Sequence, residues 1–333
     1  MGPDSTFFDQ VNGLVYIPDS GIDAVSVVNA TTGRLVATIS LPEIIGNLRI
    51  YLYDSGNQEL YIGSQESPEV FAIDTTKNYI VGELTTREPC QSLASMIYDP
   101  VNGKIFGINF VYSLVSVIND STNNTIANIK GIQGPLSGIY DPTSNAILVN
   151  AYNGTSFAID ANNYEVVGTL PVNASVFLFD PDNKLLYASL GNSIIALNAS
   201  TYQKVGTAFS LPNSYGNFVF YDSVNKDIYF YNIDNSELSA ISTLNEATIA
   251  NISVEGIDSG LALESPSFLL DSANGNIYAT EVANPQSGTI ALLLINGTTN
   301  EIVSRTFPSG LPLNYLSFDQ SDGILYGVYG PYS

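Results

Sequence analysis

The chain has 333 residues, 45% of them hydrophobic and only 13% charged; 32 acids against 10 bases leave a formal charge of −22, and histidine is absent. Without clustered Lys or Arg to displace counterions, nucleic acid is not expected as a partner, and direct membrane insertion is not expected because no apolar run approaches the ~18 residues of a span. The missing histidine rules out a His base, a His metal ligand and haem ligation by His.

So few charges leave the polar surface to Asn, Ser, Thr and Tyr. An acidic habitat accounts for the pattern, because carboxylates with pKa values of ~4 would lose most of the net charge near pH 3. On that hypothesis stability holds from neutral pH into acid, and a steep loss below pH ~4 would sink it.

Residues 1–5, beginning Met1-Gly2-Pro3, read as a cloning remnant that replaces a leader. From residue 6 a repeat takes over. An aspartate ends a short apolar run and opens a turn at Asp9, Asp54, Asp99, Asp141, Asp180, Asp222, Asp271 and Asp319, at intervals of 39 to 49 residues. A fixed period in this range marks stacked supersecondary units. Repeats start near 6, 49, 95, 136, 175, 217, 267 and 315, with no linker between them, so residues 6–333 are expected to form one domain.

Residues 95–132 show the unit. Ser95-Met96-Ile97-Tyr98 is extended, and Asp99-Pro100-Val101-Asn102-Gly103 is a turn in which Pro sets φ, Asp accepts from amides ahead and Gly takes positive φ. Lys104–Ile108, Leu114–Ile118 and Thr125–Ile129 then complete a four-stranded antiparallel meander. Second-strand positions equivalent to Phe106 are Tyr16, Tyr61, Leu148, Tyr187, Tyr229, Tyr278 and Tyr326. Helical periodicity is hard to find anywhere. The expected fold is all-β, a seven-bladed β-propeller of four-stranded antiparallel blades, with Leu316-Ser317-Phe318 completing the first blade from the C-terminus. The alternative is eight blades with a two-stranded last blade.

Tyr-Asp-Pro-x-Asn-Gly-x-Ile at Tyr98–Ile105, running on to Phe106, with Val115-Ser116-Val117-Ile118-Asn119, resembles the YVTN β-propeller repeats of archaeal surface-layer proteins. Ser26-Val27-Val28-Asn29 and Phe71-Ala72-Ile73-Asp74 are further matches. The name-giving tetrapeptide is eroded to Tyr61-Ile62-Gly63-Ser64 and Tyr278-Ala279-Thr280-Glu281. The resemblance covers nearly the whole chain. It implies seven blades and an extracellular or envelope setting, but no reaction, since the motif is a folding motif.

The turn aspartates are explained by turn initiation, because one per blade cannot converge on a single cation. Cys90 is alone, so it forms no intrachain disulfide and is read as a small buried apolar residue. Asn-x-Ser/Thr acceptor motifs include Asn153 and Asn173 and, at the turn after the third strand, Asn29, Asn119, Asn198 and Asn296. These last four are the glycosylation candidates.

Ligands on propellers are expected where inter-blade connections meet the loops between second and third strands. Phe110, Tyr112, Tyr152, Tyr215 and Tyr231 would form an aromatic rim there for a protein or glycan. Arg49, Arg87 and Arg305 are read as local ion-pair partners. For catalysis the one pair to test is Asp258 with Glu264, in the longest connection. The leading expectation is a non-enzymatic extracellular or cell-surface binding or assembly module without cofactors, joined to other domains of a larger envelope protein. The alternative is a propeller-type lactonase or lyase using acidic loop residues, with Ca²⁺ as its ion.

Overall fold

The structure is a computed structural model and describes residues 6–42, 47–64, 67, 69–85, 93–191, 193–211, 216–255, 257–258, 263–264, 267–284, 289–307, 313–320 and 323–329. Seven four-stranded antiparallel meanders span residues 7–40, 48–85, 93–130, 135–169, 176–210, 216–253 and 268–306. They are the blades of an all-β propeller, with no helix among the described residues.

Blade three shows why these residues form strands. Its members are Leu93–Asp99, Lys104–Asn109, Leu114–Asn119 and Asn124–Lys130, paired with Phe106 opposite both Ile97 and Val117. The two middle strands are buried on both sides, which is why they read as nearly continuous apolar runs. The outer strand instead alternates, with only Ile129 buried.

Outer strands share a further device. In six blades the ladder slips by one residue near the start of the fourth strand, which bulges out Val36, Val81, Ile126, Val167, Ile249 and Val303. A bulge twists an exposed edge away from the geometry another strand would need, and so guards against edge-to-edge pairing.

Two compact units divide the chain. The first is Met1–Val176 with Ala199–Gln203, the second Phe177–Asn198 with Lys204–Ser333. In the first, side chains from facing blades interleave, as Tyr16, Val25 and Val27 do with Leu48, Ile62 and Phe71. Phe106, Ile108 and Val117 do the same with Ile147, Val149 and Ile159. In the second unit Tyr187, Ile194 and Phe209 meet Ile228 and Phe230, and Tyr229, Leu238 and Ile252 meet Ile277 and Leu293.

Two details depart from the sequence expectation. The first blade is completed by Phe7–Asp9, which pairs with Leu14–Asp19 through Phe7 opposite Tyr16. Three residues suffice because Phe8 is buried and the Phe7 ring packs on Tyr53, with centroids 4.4 Å apart. Leu316-Ser317-Phe318 therefore does not take that place. Leu313–Asp319 pairs with Ile324–Tyr329, a separate two-stranded sheet after the seven full blades. The long connection before blade seven also carries a short ladder, Ile257–Asp258 against Leu263–Glu264, where a plain loop was expected.

Candidate ligand-binding patch at the loop end of blades three and four

Each blade has a turn end, with the first-to-second and third-to-fourth strand turns, and an opposite loop end. At the turn end the chemistry repeats. Asp9, Asp54, Asp99, Asp141, Asp180, Asp222 and Asp271 are all buried. Each accepts a hydrogen bond from the amide two residues ahead, at 2.7 to 3.0 Å. Four residues after each aspartate the backbone turns left-handed, at Gly13, Gln58, Gly103, Asn145, Lys184, Lys226 and Gly275. The carboxylates are thus committed to their own turns. Among the described residues no group of three or more His, Cys, Asp or Glu gathers as a metal site would require.

Tyrosines join one blade to the next at this end. The Tyr53 hydroxyl donates to Asp9 of the preceding blade at 3.4 Å, and Tyr98 and Tyr140 stand likewise beside Asp54 and Asp99. Burial, followed by the neighbouring carboxylate, pushes the Tyr140 hydroxyl up to about 12, so it remains a proton donor. A second set runs from the second strands. Tyr16 donates to Asn78 at 2.6 Å, with the Thr75 carbonyl 2.9 Å from the same hydroxyl, Tyr61 to Asn123 at 2.8 Å, and Tyr229 to Asn300 at 2.7 Å. The asparagine acceptor is in each case the left-handed residue of the next blade's third-to-fourth turn. Where the second strand carries Phe106 or Leu148 instead, the left-handed residue is itself a tyrosine, Tyr164 or Tyr202. Tyr164 packs on Phe106 with centroids 6.2 Å apart, and Tyr202 donates to Asp141 at 3.2 Å. The repeated Tyr, Asp and Asn are therefore structural.

The loop end of blades three and four is different. Three segments meet there: the loop 109–113, the connection 131–134 and the loop 151–155. Asn109 is buried and accepts from the Tyr112 amide at 2.9 Å, closing the first loop. Gly154 donates to the Ala151 carbonyl at 2.9 Å, and Thr155 to Asn153 Oδ1 at 3.0 Å, closing the second. Gly134 joins them, donating to Ser113 Oγ at 3.1 Å while its carbonyl accepts from the Tyr152 amide at 2.8 Å. Its φ is +58°, and a Cβ there would lie 3.1 Å from the Phe110 ring and 3.2 Å from Tyr152 Cβ. Glycine is what allows the two rings to close over the connection.

The result is an exposed aromatic corner. Phe110 and Tyr152 stand 6.0 Å apart at 74°, an edge-to-face geometry. Tyr152 is 77% exposed, and Phe110, Val111 and Tyr112 in the first loop and Leu136 after the connection are exposed as well. Of the five predicted rim residues, Phe110 and Tyr152 meet, and Tyr112 is exposed in the same loop as Phe110. Tyr231 is not part of any rim: it is 4% exposed, packs on Phe268 and donates to the Val254 carbonyl at 3.2 Å. The strand accounts for this: it runs from Asp227 through Asn232, past the point where a loop was expected, and is buried at every position. Tyr215 lies outside the described residues. Gly134 and Leu136 were not foreseen, although Gly134-Pro135 between two apolar stretches was a visible turn signal.

The other candidates fall elsewhere. Backbone pairing puts Asp258 opposite Leu263 and Glu264 opposite Ile257; the proposed pairing of their side chains lies outside what the structure describes. Asn29, Asn119 and Asn296 cap their turns, accepting from the amides of Thr32, Thr122 and Thr298 at 2.9 to 3.1 Å, and Asn198 ends the corresponding strand. Arg305 is an ion-pair partner, as expected, gripping buried Glu281 at 2.7 Å and 3.0 Å. Arg87 and Cys90 lie outside the described residues.

No family model and no curated protein matches the chain by sequence. By structure the fold is common, with 1571 matching solved chains, so it carries no function by itself. One of them is dihydro-heme d1 dehydrogenase NirN in complex with DHE, 16% identical over 95% of this chain and 68% of that one, with a TM-score of 0.73. At that identity the likeness concerns the fold alone.

Proposed function

We propose that the chain is a non-enzymatic binding or assembly module of an extracellular or cell-surface protein, and that it holds a protein or glycan partner at the Phe110–Tyr152 corner. The observation that carries this reading is the corner itself. Rings that could have been buried are held out to solvent by closed loops, and Gly134 makes room for them. Rigid, exposed aromatics give contact area at little cost in conformational entropy. The resemblance to YVTN repeats of archaeal surface-layer proteins supports the envelope setting, and the acidic, lysine-poor composition suits an acidic medium.

Dihydro-heme d1 chemistry is not carried over from NirN. A chain without histidine has no imidazole for haem iron, and the shared fold is compatible with many activities. The test is retention of the protein on a cell-envelope preparation. Wild type is expected to bind, and the Phe110→Ser, Tyr152→Ser double variant is expected to lose binding with its unfolding midpoint unchanged. Undiminished binding by the double variant would refute the site. Stabilisation by Ca²⁺ together with a sugar acid would favour the lactonase or lyase reading instead.

A further inference from the structure

Building on that reading, we infer that the Phe110–Tyr152 corner is a site for a neutral saccharide. Residues 109–113, 131–136 and 150–156 contain no Asp, Glu, Lys or Arg. In a chain of formal charge −22, an uncharged aromatic island is a local departure from the average surface. The equivalent loop of blade one exposes Ile22 to 59% but sets it between Asp19 and Asp23, and that of blade six carries Asp234. The nearest charge along these segments is Lys130, on the outer strand opposite Leu114.

Charge separates the ligand classes. An anionic partner is repelled by the whole molecule, and a cationic one is steered to the acidic surface, where attraction is strongest. Neither has reason to choose an uncharged island. A neutral sugar does. Its C–H face packs on an aromatic face, and its hydroxyls bond to amides and phenols, which Gln133, Tyr152 and Asn153 supply around the corner. Rings at 74° offer one face to stack on and a second ring as a side wall. The island is also small: a stable protein interface takes about 20–30 residues a side, more than the three loops contain.

The experiment is a titration of unglycosylated protein, since Asn153 and Asn173 lie in acceptor motifs nearby. The probes are neutral glucan, mannan and N-acetylglucosamine oligosaccharides, with a lysine-rich peptide and a polyuronate as charged comparators. Binding is read by calorimetry at low and high salt. The expected result is binding of at least one neutral oligosaccharide, insensitive to salt, weakened about tenfold or more by Tyr152→Ala and kept by Tyr152→Phe. Tyr79→Ala, at an exposed tyrosine elsewhere, should change nothing. If no neutral sugar binds but envelope retention still depends on Tyr152, the saccharide inference fails and the module reading stands. If neither depends on Tyr152, both fail.

Discussion

The turn end of the blades and the loop end of blades three and four use the same residue types for opposite purposes. At the turn end, tyrosines are buried and their hydroxyls tie neighbouring blades, Tyr16 to Asn78, Tyr61 to Asn123 and Tyr229 to Asn300. At the loop end, Phe110 and Tyr152 are held outward by turns that close on themselves. Among the described residues, repetition marks the first set and singularity the second. In a repeat protein, what recurs in every unit serves stacking, and what occurs once is free to serve binding.

The comparison breaks most severely if a buried tyrosine is removed. Tyr229→Ala should cost about 3–5 kcal/mol and lower the thermal midpoint by several degrees in calorimetry, leaving sugar binding per folded molecule intact.

Next in size is a pH effect. Asp227 is buried at the head of a second strand, opposite Asp222 and near Asn300; burial first, and Asp222 second, raise its carboxyl to about 6. The folded chain therefore keeps a proton that the unfolded chain, ionising near 4, releases. Stability rises as pH falls from about 6 toward 4, and above 6 the fold carries the whole cost of the buried charge. Asp227→Asn should stabilise the protein at neutral pH by on the order of 2–3 kcal/mol and flatten this part of the denaturation profile. A profile unchanged by the substitution would contradict the assignment.

Asp99→Ala should cost about 1–3 kcal/mol, because the amides of Val101 and Asn102 and the Asn102 side chain lose a shared acceptor. Two conservative changes sharpen the contrast within the turn end. Tyr61→Phe leaves Asn123 without its donor and should destabilise by about 1 kcal/mol. Tyr187→Phe should be neutral or stabilising, because that hydroxyl is buried with no hydrogen-bond partner among the described residues. The smallest change in stability, within about 0.5 kcal/mol, is expected for Tyr152→Ala, which should nevertheless remove binding. Urea denaturation measures all three.

Turn chemistry was legible because it is local: Asp99, Pro100 and Gly103 declare a turn without reference to the rest of the chain. The meander followed from alternation and period. The role of Tyr in Tyr53-Asp54 and Tyr98-Asp99 was not legible, since the carboxylate it meets, Asp9 or Asp54, belongs to the preceding blade, some 40 residues away in sequence. Nor was the exchange of Phe106 for a partner Tyr164, which only stacking reveals. At the candidate site the rim was read as five aromatics. Phe110 and Tyr152 came together, whereas Tyr231 is buried, because the second strand of its blade extends to Asn232 and is covered on both faces, which only the packing of neighbouring blades decides.

Periodicity, turn residues and apolar runs were enough to determine seven four-stranded blades, since each depends on neighbours in the chain, and composition alone, with no histidine, removed imidazole chemistry. Tertiary structure alone decided that Phe7–Asp9 completes the first blade, that Leu313–Asp319 and Ile324–Tyr329 stand as a separate pair, and that two loops and Gly134 build one exposed corner. Those outcomes rest on contacts between segments far apart in sequence, and no local propensity encodes them.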